Sequence, residues 1–234
     1  MLQPRSYPEF VAKALVLDND PFEAMVDDDN PWMEGFVLVT TVSLLAGIAL
    51  AIGGFLTAAT LPDPGVALTA LLQGWRQIAV TVSIPPTAVE QIITDVWSAA
   101  TLVTGYAGGW SHFLPIIALP GVAIVWWIFF SLASFGASRV FGGKGTLAAT
   151  FGAGALTVAP FSFLLVSIVP FAGVGGALLT TWGLLIGYRA VHVAQELDWR
   201  EAALTTLIVY GVAAIAVMLM GAAFAVGFTA GGFR

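Results

Sequence analysis

The sequence contains no cysteine and very few charged residues. Without Cys among its 234 residues, the chain cannot form disulfides, a thiol nucleophile or a cysteine-ligated metal cluster. Only 9% of its residues are charged, whereas a typical soluble domain has about 25%. With 59% hydrophobic residues and a mean hydropathy of +0.93, the composition is that of a protein solvated by lipid rather than by water.

Positive charge is especially scarce. Eight Lys and Arg residues stand against 14 Asp and Glu residues, which gives a formal net charge of −6. Nucleic-acid-binding proteins carry clustered Lys and Arg, so we expect no nucleic acid among the partners. Residues 1–35 also lack the apolar core of a secretory signal. The first apolar run is therefore expected to act as an uncleaved anchor.

Five long apolar runs occupy most of the chain after residue 35. They cover residues 36–60, 113–135, 147–170, 172–193 and 203–228. A helix needs about 20 residues to cross a hydrocarbon core of about 30 Å, so each run is long enough to do so. The sequence predicts an all-α integral membrane protein, with a bundle of five transmembrane helices in one domain, residues 36–234.

The segment 61–112, between the first two runs, predicts two amphipathic helices on the outer face. Apolar residues recur there at helical spacing, and Pro85 separates the two helices. A transmembrane hairpin, which would give seven crossings, is the alternative. Arg76 and Asp95 lie near the middle of the two helices, where each charge would cost about 2.5–3.5 kcal/mol in a bilayer. Five crossings are therefore preferred to seven.

The distribution of Lys and Arg predicts the orientation, because cytoplasmic loops of membrane proteins carry the excess of positive charge. With the N-terminus inside, the outer segments carry only Arg76 and Arg234. The inner segments then carry six positive residues, Arg5, Lys13, Arg139, Lys144, Arg189 and Arg200. We therefore expect a cytoplasmic N-terminus and a C-terminus outside.

The N-terminal segment, residues 1–35, is acidic. It holds eight of the 14 Asp and Glu residues, and Ser6, ahead of Pro8 and Glu9, predicts a short surface helix. The acidic residues do not match an EF-hand loop, which requires glycine at position 6 and glutamate at position 12. A solvated acidic face that binds a basic partner is predicted instead. Its candidate partner-binding residues are Asp27, Asp28 and Asp29.

One dense polar cluster follows the fourth run, at residues 188–201. His192 and Glu196 share a helix face and could begin a metal site, but a closed site needs four ligands. An ion-pair network is the preferred interpretation, and it involves Arg189, Glu196, Asp198, Arg200 and Glu201. With Lys144, the cluster supplies the remaining candidate partner-binding residues, Arg189, His192, Glu196 and Arg200. No metal or other cofactor is predicted.

Several short motifs resemble those of the Yip domain (Ypt-interacting protein) family, particularly its prokaryotic members. They are the glycine turn Gly142–Gly145 after the second run, Ala159-Pro160 in the third, and Trp182 with Tyr188-Arg189-Ala190 in the fourth. Asn30-Pro31-Trp32, before the first run, is similar to the family's entry into its first crossing.

The resemblance implies a five-helix membrane protein of a prokaryotic cytoplasmic membrane with its N-terminus in the cytoplasm. Eukaryotic members are associated with Rab-type GTPases and vesicle trafficking, but their D-L-Y-G-P type motif is absent from residues 1–35. The segment 61–112 is also longer than is usual in the family.

Three functions are compatible with these observations. The preferred one is a non-enzymatic scaffold or adaptor that binds lipids and other membrane proteins, as a homo- or hetero-oligomer. The alternatives are an accessory subunit of a large bioenergetic complex and a small-solute transporter or channel. Transport is less favoured because the runs contain almost no ionisable residues of the kind that coupled transporters use. The sequence contains no recognisable set of nucleophile, general base and general acid, so an enzyme is not predicted.

Overall fold

Helices account for the regular structure of the described chain. The computed structural model describes residues 6–81, 85–103, 105–106 and 108–230, and none of these forms a strand. The α-helices are, in order, α1 (Tyr7–Leu15), α2 (Asp20–Val26), α3 (Pro31–Thr60), α4 (Pro64–Thr81), α5 (Pro86–Val103), α6 (Leu114–Val140), α7 (Leu147–Gly154), α8 (Gly176–Gln195) and α9 (Trp199–Ala230). Two 3₁₀ helices, Gly109–Phe113 and Ala155–Ile168, precede α6 and follow α7. The predicted all-α class is confirmed.

Four helical stretches within these residues are long and apolar enough to cross a membrane. They are Pro31–Thr60, Gly109–Val140, Leu147–Ile168 and Trp199–Ala223, and they coincide with the first, second, third and fifth predicted runs. The fourth run forms α8, whose second half carries Tyr188, Arg189 and His192 and is therefore less apolar. The fifth crossing stays a prediction.

Helices also form in the segment between the first two spans, where an amphipathic pair was predicted. The guanidinium of Arg76 in α4 donates to both carboxylate oxygens of Glu90 in α5, at 2.8 and 3.0 Å. These bonds lower the pKa of the Glu90 carboxyl. The amide of Gln91 donates to Asp95 at 2.9 Å. The placement of this pair on the membrane surface stays a prediction.

The third span changes its helix type partway. It is α-helical to Gly154 and then 3₁₀ over Ala155–Ile168; Pro160 was expected to bend or end this helix, but the 3₁₀ geometry was not predicted. Pro160 has no N–H to donate to the α-helical ladder. The Trp127 indole donates to the Phe151 carbonyl at 2.8 Å, and the Thr157 hydroxyl donates to the Gly154 carbonyl at 2.7 Å. These side chains compete for carbonyls that would otherwise accept the backbone hydrogen bonds of an α-helix. A 3₁₀ segment of 14 residues extends roughly 28 Å.

The chain divides into two compact units. The first consists of Met1–Val39, Ile124–Pro160 and Ala177–Arg234, and the second of Thr40–Ala123 and Phe161–Gly176. The core of the first unit contains fully buried large side chains. They include Phe22, Met25, Leu38, Phe130, Leu156, Ile186 and Val191.

Glycines in the first unit allow close helix packing. A Cβ at Gly152 would lie 2.4 Å from the Met25 carbonyl oxygen, so α7 and α2 meet at backbone distance. In α8, a Cβ at Gly183 would lie 3.0 Å from the Tyr210 hydroxyl, and one at Gly187 would lie 3.0 Å from the Phe130 ring. The two α8 glycines therefore pack against α9 and α6 of the same chain, as small residues do in membrane bundles.

Candidate functional site

Helix α1 and the residues just after it are fixed to the rest of the first unit by buried and part-buried hydrogen bonds. The Tyr7 hydroxyl donates to Glu34 Oε1 at 2.6 Å, and both residues are buried. From α8, the Trp182 indole donates to the Leu15 carbonyl at 2.9 Å and Arg189 Nε to the Leu17 carbonyl at 3.1 Å. The predicted N-terminal helix is confirmed as α1, although the Ser6 side chain makes no capping bond.

The glycine turn packs on the end of α8. The Arg139 guanidinium donates to the Gly143 and Gly145 carbonyls at 2.5 and 2.6 Å. The Lys144 backbone N–H donates to the Gln195 carbonyl at 3.0 Å. A Cβ at Gly145 would lie only 1.6 Å from the Ala194 carbonyl oxygen, so only glycine fits there. The turn thus has a structural role, because it packs against the end of α8. It leaves the Lys144 side chain exposed.

The buried Gln195 side chain connects this turn to two helices. Its Oε1 accepts from the Ser138 hydroxyl at 3.0 Å, and its Nε2 donates to the Thr150 hydroxyl at 2.5 Å. All three residues are at most 1% exposed. A buried amide needs such partners because an unpaired polar group there costs free energy. Together these bonds position the C-terminal end of α8.

The chain reverses just after α8. Glu196 takes a positive φ of 53°, a left-handed conformation that usually falls to glycine at a helix C-terminus. His192 Nδ1 lies 2.5 Å from the Leu197 carbonyl oxygen. A carbonyl only accepts, so Nδ1 is the donor in this contact. The ring also stacks on Tyr188, with centroids 6.1 Å apart.

This reversal and α2 together line a cleft of about 520 Å³, which we call the acidic cleft. Its lining residues, all in the first unit, are Asn19, Glu23, Val26, Asp27, His192, Val193, Glu196, Leu197 and Asp198. Four of them are carboxylates, and none is Lys or Arg. The Asn19 Oδ1 atom is shielded from solvent and has no hydrogen-bond partner in the described structure. The cleft therefore presents hydrogen-bond acceptors and negative charge.

The cleft chemistry favours cationic groups with N–H donors. Carboxylates accept charge-assisted hydrogen bonds from Lys and Arg, which are about twice as strong as neutral ones. Among the described residues, no three His, Asp or Glu side chains converge closely enough to hold a metal ion. The acidic cleft is thus suited to the side chains of a basic peptide segment.

Of the eight predicted partner-binding residues, the structure brings three together. Asp27, His192 and Glu196 line the acidic cleft. Asp28 accepts from the Asn30 backbone N–H at 2.8 Å, near the start of α3, and Asp29 is exposed outside the cleft lining.

The other predicted residues have separate roles. Arg189 Nε donates a hydrogen bond to the Leu17 carbonyl. Arg200 lies 5.1 Å from the centroid of the Trp199 ring, as in a cation–π contact. The Lys144 side chain is exposed, away from the cleft lining.

The predicted ion-pair network is wrong. No ion pair forms among the five residues assigned to it, all of which the structure describes. Arg189 and Arg200 are instead engaged by a backbone carbonyl and an aromatic ring. The ion pairs found lie elsewhere, and they join Lys13 to Glu9 and Asp20, and Arg76 to Glu90.

Three polar cleft residues, Asn19, Glu23 and Asp198, were not named as partner-binding candidates from the sequence. Asn19 and Glu23 are far from α8 in the chain, and Asp198 was assigned only to the ion-pair network. The i, i+4 spacing of Glu23 and Asp27 on α2 was the one available signal, because it places both on one helix face. Nothing in the sequence pairs that face with the end of α8.

Comparison with known families gives one match. The family model described as the Yip1 domain matches residues 14–221, which include both sides of the acidic cleft and all four candidate spans up to residue 221. No curated protein and no solved structure matches the chain.

Proposed function

Because this chain belongs to the Yip1 domain family, we propose that it is a non-enzymatic membrane adaptor that binds a basic segment of a partner protein. Apolar helices anchor it in the bilayer. The binding surface is the acidic cleft of the first unit. Partners of this kind include other membrane proteins, which would reach the cleft with their loops or termini.

The acidic cleft is the observation that carries the proposal. It combines concave shape, four carboxylates and an unpartnered amide oxygen in a volume of about 520 Å³. Ligand sites are concave surfaces with a few convergent polar groups. Charge of one sign in a cleft also raises the rate at which an oppositely charged partner associates.

The cleft is proposed to face the cytoplasm of a prokaryotic cell. Its two sides belong to the N-terminal segment and to the polar segment after α8. The same segments carry most of the positive residues that define the inner side, including Lys13, Arg189 and Arg200. A cytoplasmic cleft would meet the soluble domains and loops of other proteins on that side.

Peptide binding to the purified full-length protein tests this function. The probe is a fluorescent Lys- and Arg-rich peptide, titrated into protein in nanodiscs of neutral lipid at low and high salt. The variants are Asp27→Lys and Asp29→Lys, which change the net charge equally at exposed positions two residues apart. Only Asp27 lines the cleft.

We expect binding of the peptide to weaken several-fold in Asp27→Lys and to change little in Asp29→Lys. Binding should also weaken with salt, because exposed charges are screened beyond about 10 Å at 0.1 M. Equal losses in the two variants would show non-specific attraction to the acidic segment. That outcome, or no binding to the wild-type protein, would reject the cleft as the partner site.

A further inference from the structure

The second unit contains an apolar pocket that the proposed function does not use. Its volume is about 450 Å³, within the range of small-molecule sites. Its walls are mainly apolar side chains from α3, the start of α6, the 3₁₀ segment and the loop after it, among them Leu50, Leu61, Pro115, Leu164 and Val174. No charged side chain lines it, and only Thr57, Ser167 and Tyr106 supply hydroxyl groups.

A backbone contact forms one wall of the pocket. A Cβ at Gly53 would lie 1.6 Å from the Ser167 carbonyl oxygen, so α3 and the 3₁₀ segment touch there without intervening side chains. Gly53, Gly54 and Ser167 all line the pocket. Near another part of the lining, the Tyr106 hydroxyl donates to the Pro62 carbonyl, which fixes the aromatic ring.

Phe171, also in the lining, presents an exposed ring at a tight turn. The Ala172 N–H donates to the Val169 carbonyl at 3.0 Å, which places Phe171 directly after Pro170 at the third position of a β-turn. A positive φ, here 64°, is typical of that position in a type II turn. The turn leaves the Phe171 side chain 69% exposed at the pocket, where an apolar occupant would cover it.

We propose that this pocket binds one acyl chain of a membrane lipid. Residues of α3 and of the Leu147–Ile168 stretch, both candidate membrane spans, line the pocket, so lipid chains are the solvent around these walls. A lining without charge accepts hydrocarbon and disfavours water. The hydroxyls of Thr57 and Ser167, which also line the pocket, can donate to the ester or headgroup oxygens at the polar end of the same lipid. This proposal is independent of the acidic cleft.

The test uses a phosphatidylcholine with a diazirine on one acyl chain, reconstituted with the full-length protein in nanodiscs. After photolysis, mass spectrometry locates the labelled peptides. Val174→Trp fills the pocket from the loop, whereas the control Val169→Trp adds the same ring to an exposed valine that is outside the lining. If Val174→Trp does not give a monodisperse protein, Ala172→Trp fills the same space from a neighbouring lining residue.

In the wild type, labelling of residues 50–61 and 164–174 should exceed labelling of the exposed α9 residues 212–220. We expect Val174→Trp to reduce the pocket labelling about tenfold, which corresponds to about 1.4 kcal/mol of binding free energy, and Val169→Trp to leave it unchanged. Labelling that is uniform along the spans, or unaffected by Val174→Trp, would show only bulk lipid and would overturn the proposal. Loss of a dimer in Val174→Trp, without loss of label, would assign the pocket to a second copy instead.

Discussion

At the residue scale, several charged and polar side chains serve the fold rather than a partner. Arg139 and Arg189 bind backbone carbonyls, although the sequence placed Arg139 only among the positive residues of the inner side and assigned Arg189 to an ion-pair network. A guanidinium has five N–H donors in a rigid fork, so it can satisfy carbonyls at a turn or helix end. The sequence shows that such a residue is present, but its partner depends on which backbone the fold brings near.

Tyr7 and Glu34 provide a residue-scale prediction. Burial, and then the hydrogen bond to Glu34, raises the pKa of the Tyr7 phenol above its ordinary value. In the unfolded chain this phenol ionises near pH 10. The folded pKa is the higher one, so the contribution of Tyr7 to stability is complete below about pH 10 and is lost as pH rises above it.

We expect Tyr7→Phe to lower the stability by about 1–3 kcal/mol at neutral pH, because it leaves the buried Glu34 carboxyl without its donor. Above pH 10, the stability of the variant should also fall less steeply than that of the wild type. Thermal unfolding in detergent from pH 7 to 11 measures both effects. Tyr188→Phe, which removes a hydroxyl with no hydrogen bond in the described structure, is the control. Identical pH profiles for wild type and Tyr7→Phe would contradict the assignment.

At the element scale, the α4–α5 pair changes an argument made from the sequence. Arg76 and Asp95 were counted as two separate penalties against a transmembrane hairpin. The structure pairs Arg76 of α4 with the Glu90 carboxylate of α5, whereas Asp95 accepts from the neutral amide of Gln91 one turn earlier in α5. Periodicity predicts that both segments are helices, but the Arg76–Glu90 pairing, which reduces the first of the two penalties, depends on how the helices meet.

The glycine turn supplies the element-scale prediction. Gly145→Ala would force its Cβ against the Ala194 carbonyl oxygen, and overpacking of this kind costs about 1–3 kcal/mol. Gly136→Ala, in α6, meets no atom within 4 Å and should be neutral or stabilising by up to about 1 kcal/mol, since alanine favours helices. Thermal unfolding of both variants measures the difference. Equal stability of the two would show that the end of α8 is not fixed by this turn.

At the scale of the whole molecule, the chain's membership of the Yip1 domain family and its four candidate spans identify an integral membrane protein. The prediction of its orientation is based on the distribution of Lys and Arg alone. Since the sequence lacks cysteine, single cysteines can be introduced and labelled without background. Asp29, Gly74 and Lys144 are suitable exposed positions.

We expect a membrane-impermeant maleimide to label Gly74→Cys in intact cells, but not Asp29→Cys or Lys144→Cys. All three should react after permeabilisation, which controls for exposure of each thiol. This result follows if positive residues are retained inside and α4 lies on the outer surface. Labelling of Lys144→Cys in intact cells would reverse the orientation. Protection of Gly74→Cys in both conditions would instead support the seven-crossing arrangement.

The sequence by itself determined the fold class, the family and the positions of most membrane helices. Those properties follow from local features, namely the length of apolar runs, helical periodicity, and short glycine and proline motifs. The 3₁₀ stretch in the third span was not predicted, because it also depends on a hydrogen bond from Trp127, which lies 24 positions away in the chain.

Only the tertiary structure decided which polar residues meet. Asp27 and Glu196 were both candidates, but they are far apart in sequence and share a cleft only because α2 packs near the end of α8. Arg189 and Arg200 lie in the polar cluster 188–201, yet they form no ion pairs with its carboxylates, because a carbonyl and an indole contact them instead. Composition and periodicity fix each element separately, whereas a binding site requires contacts between elements, and those depend on packing.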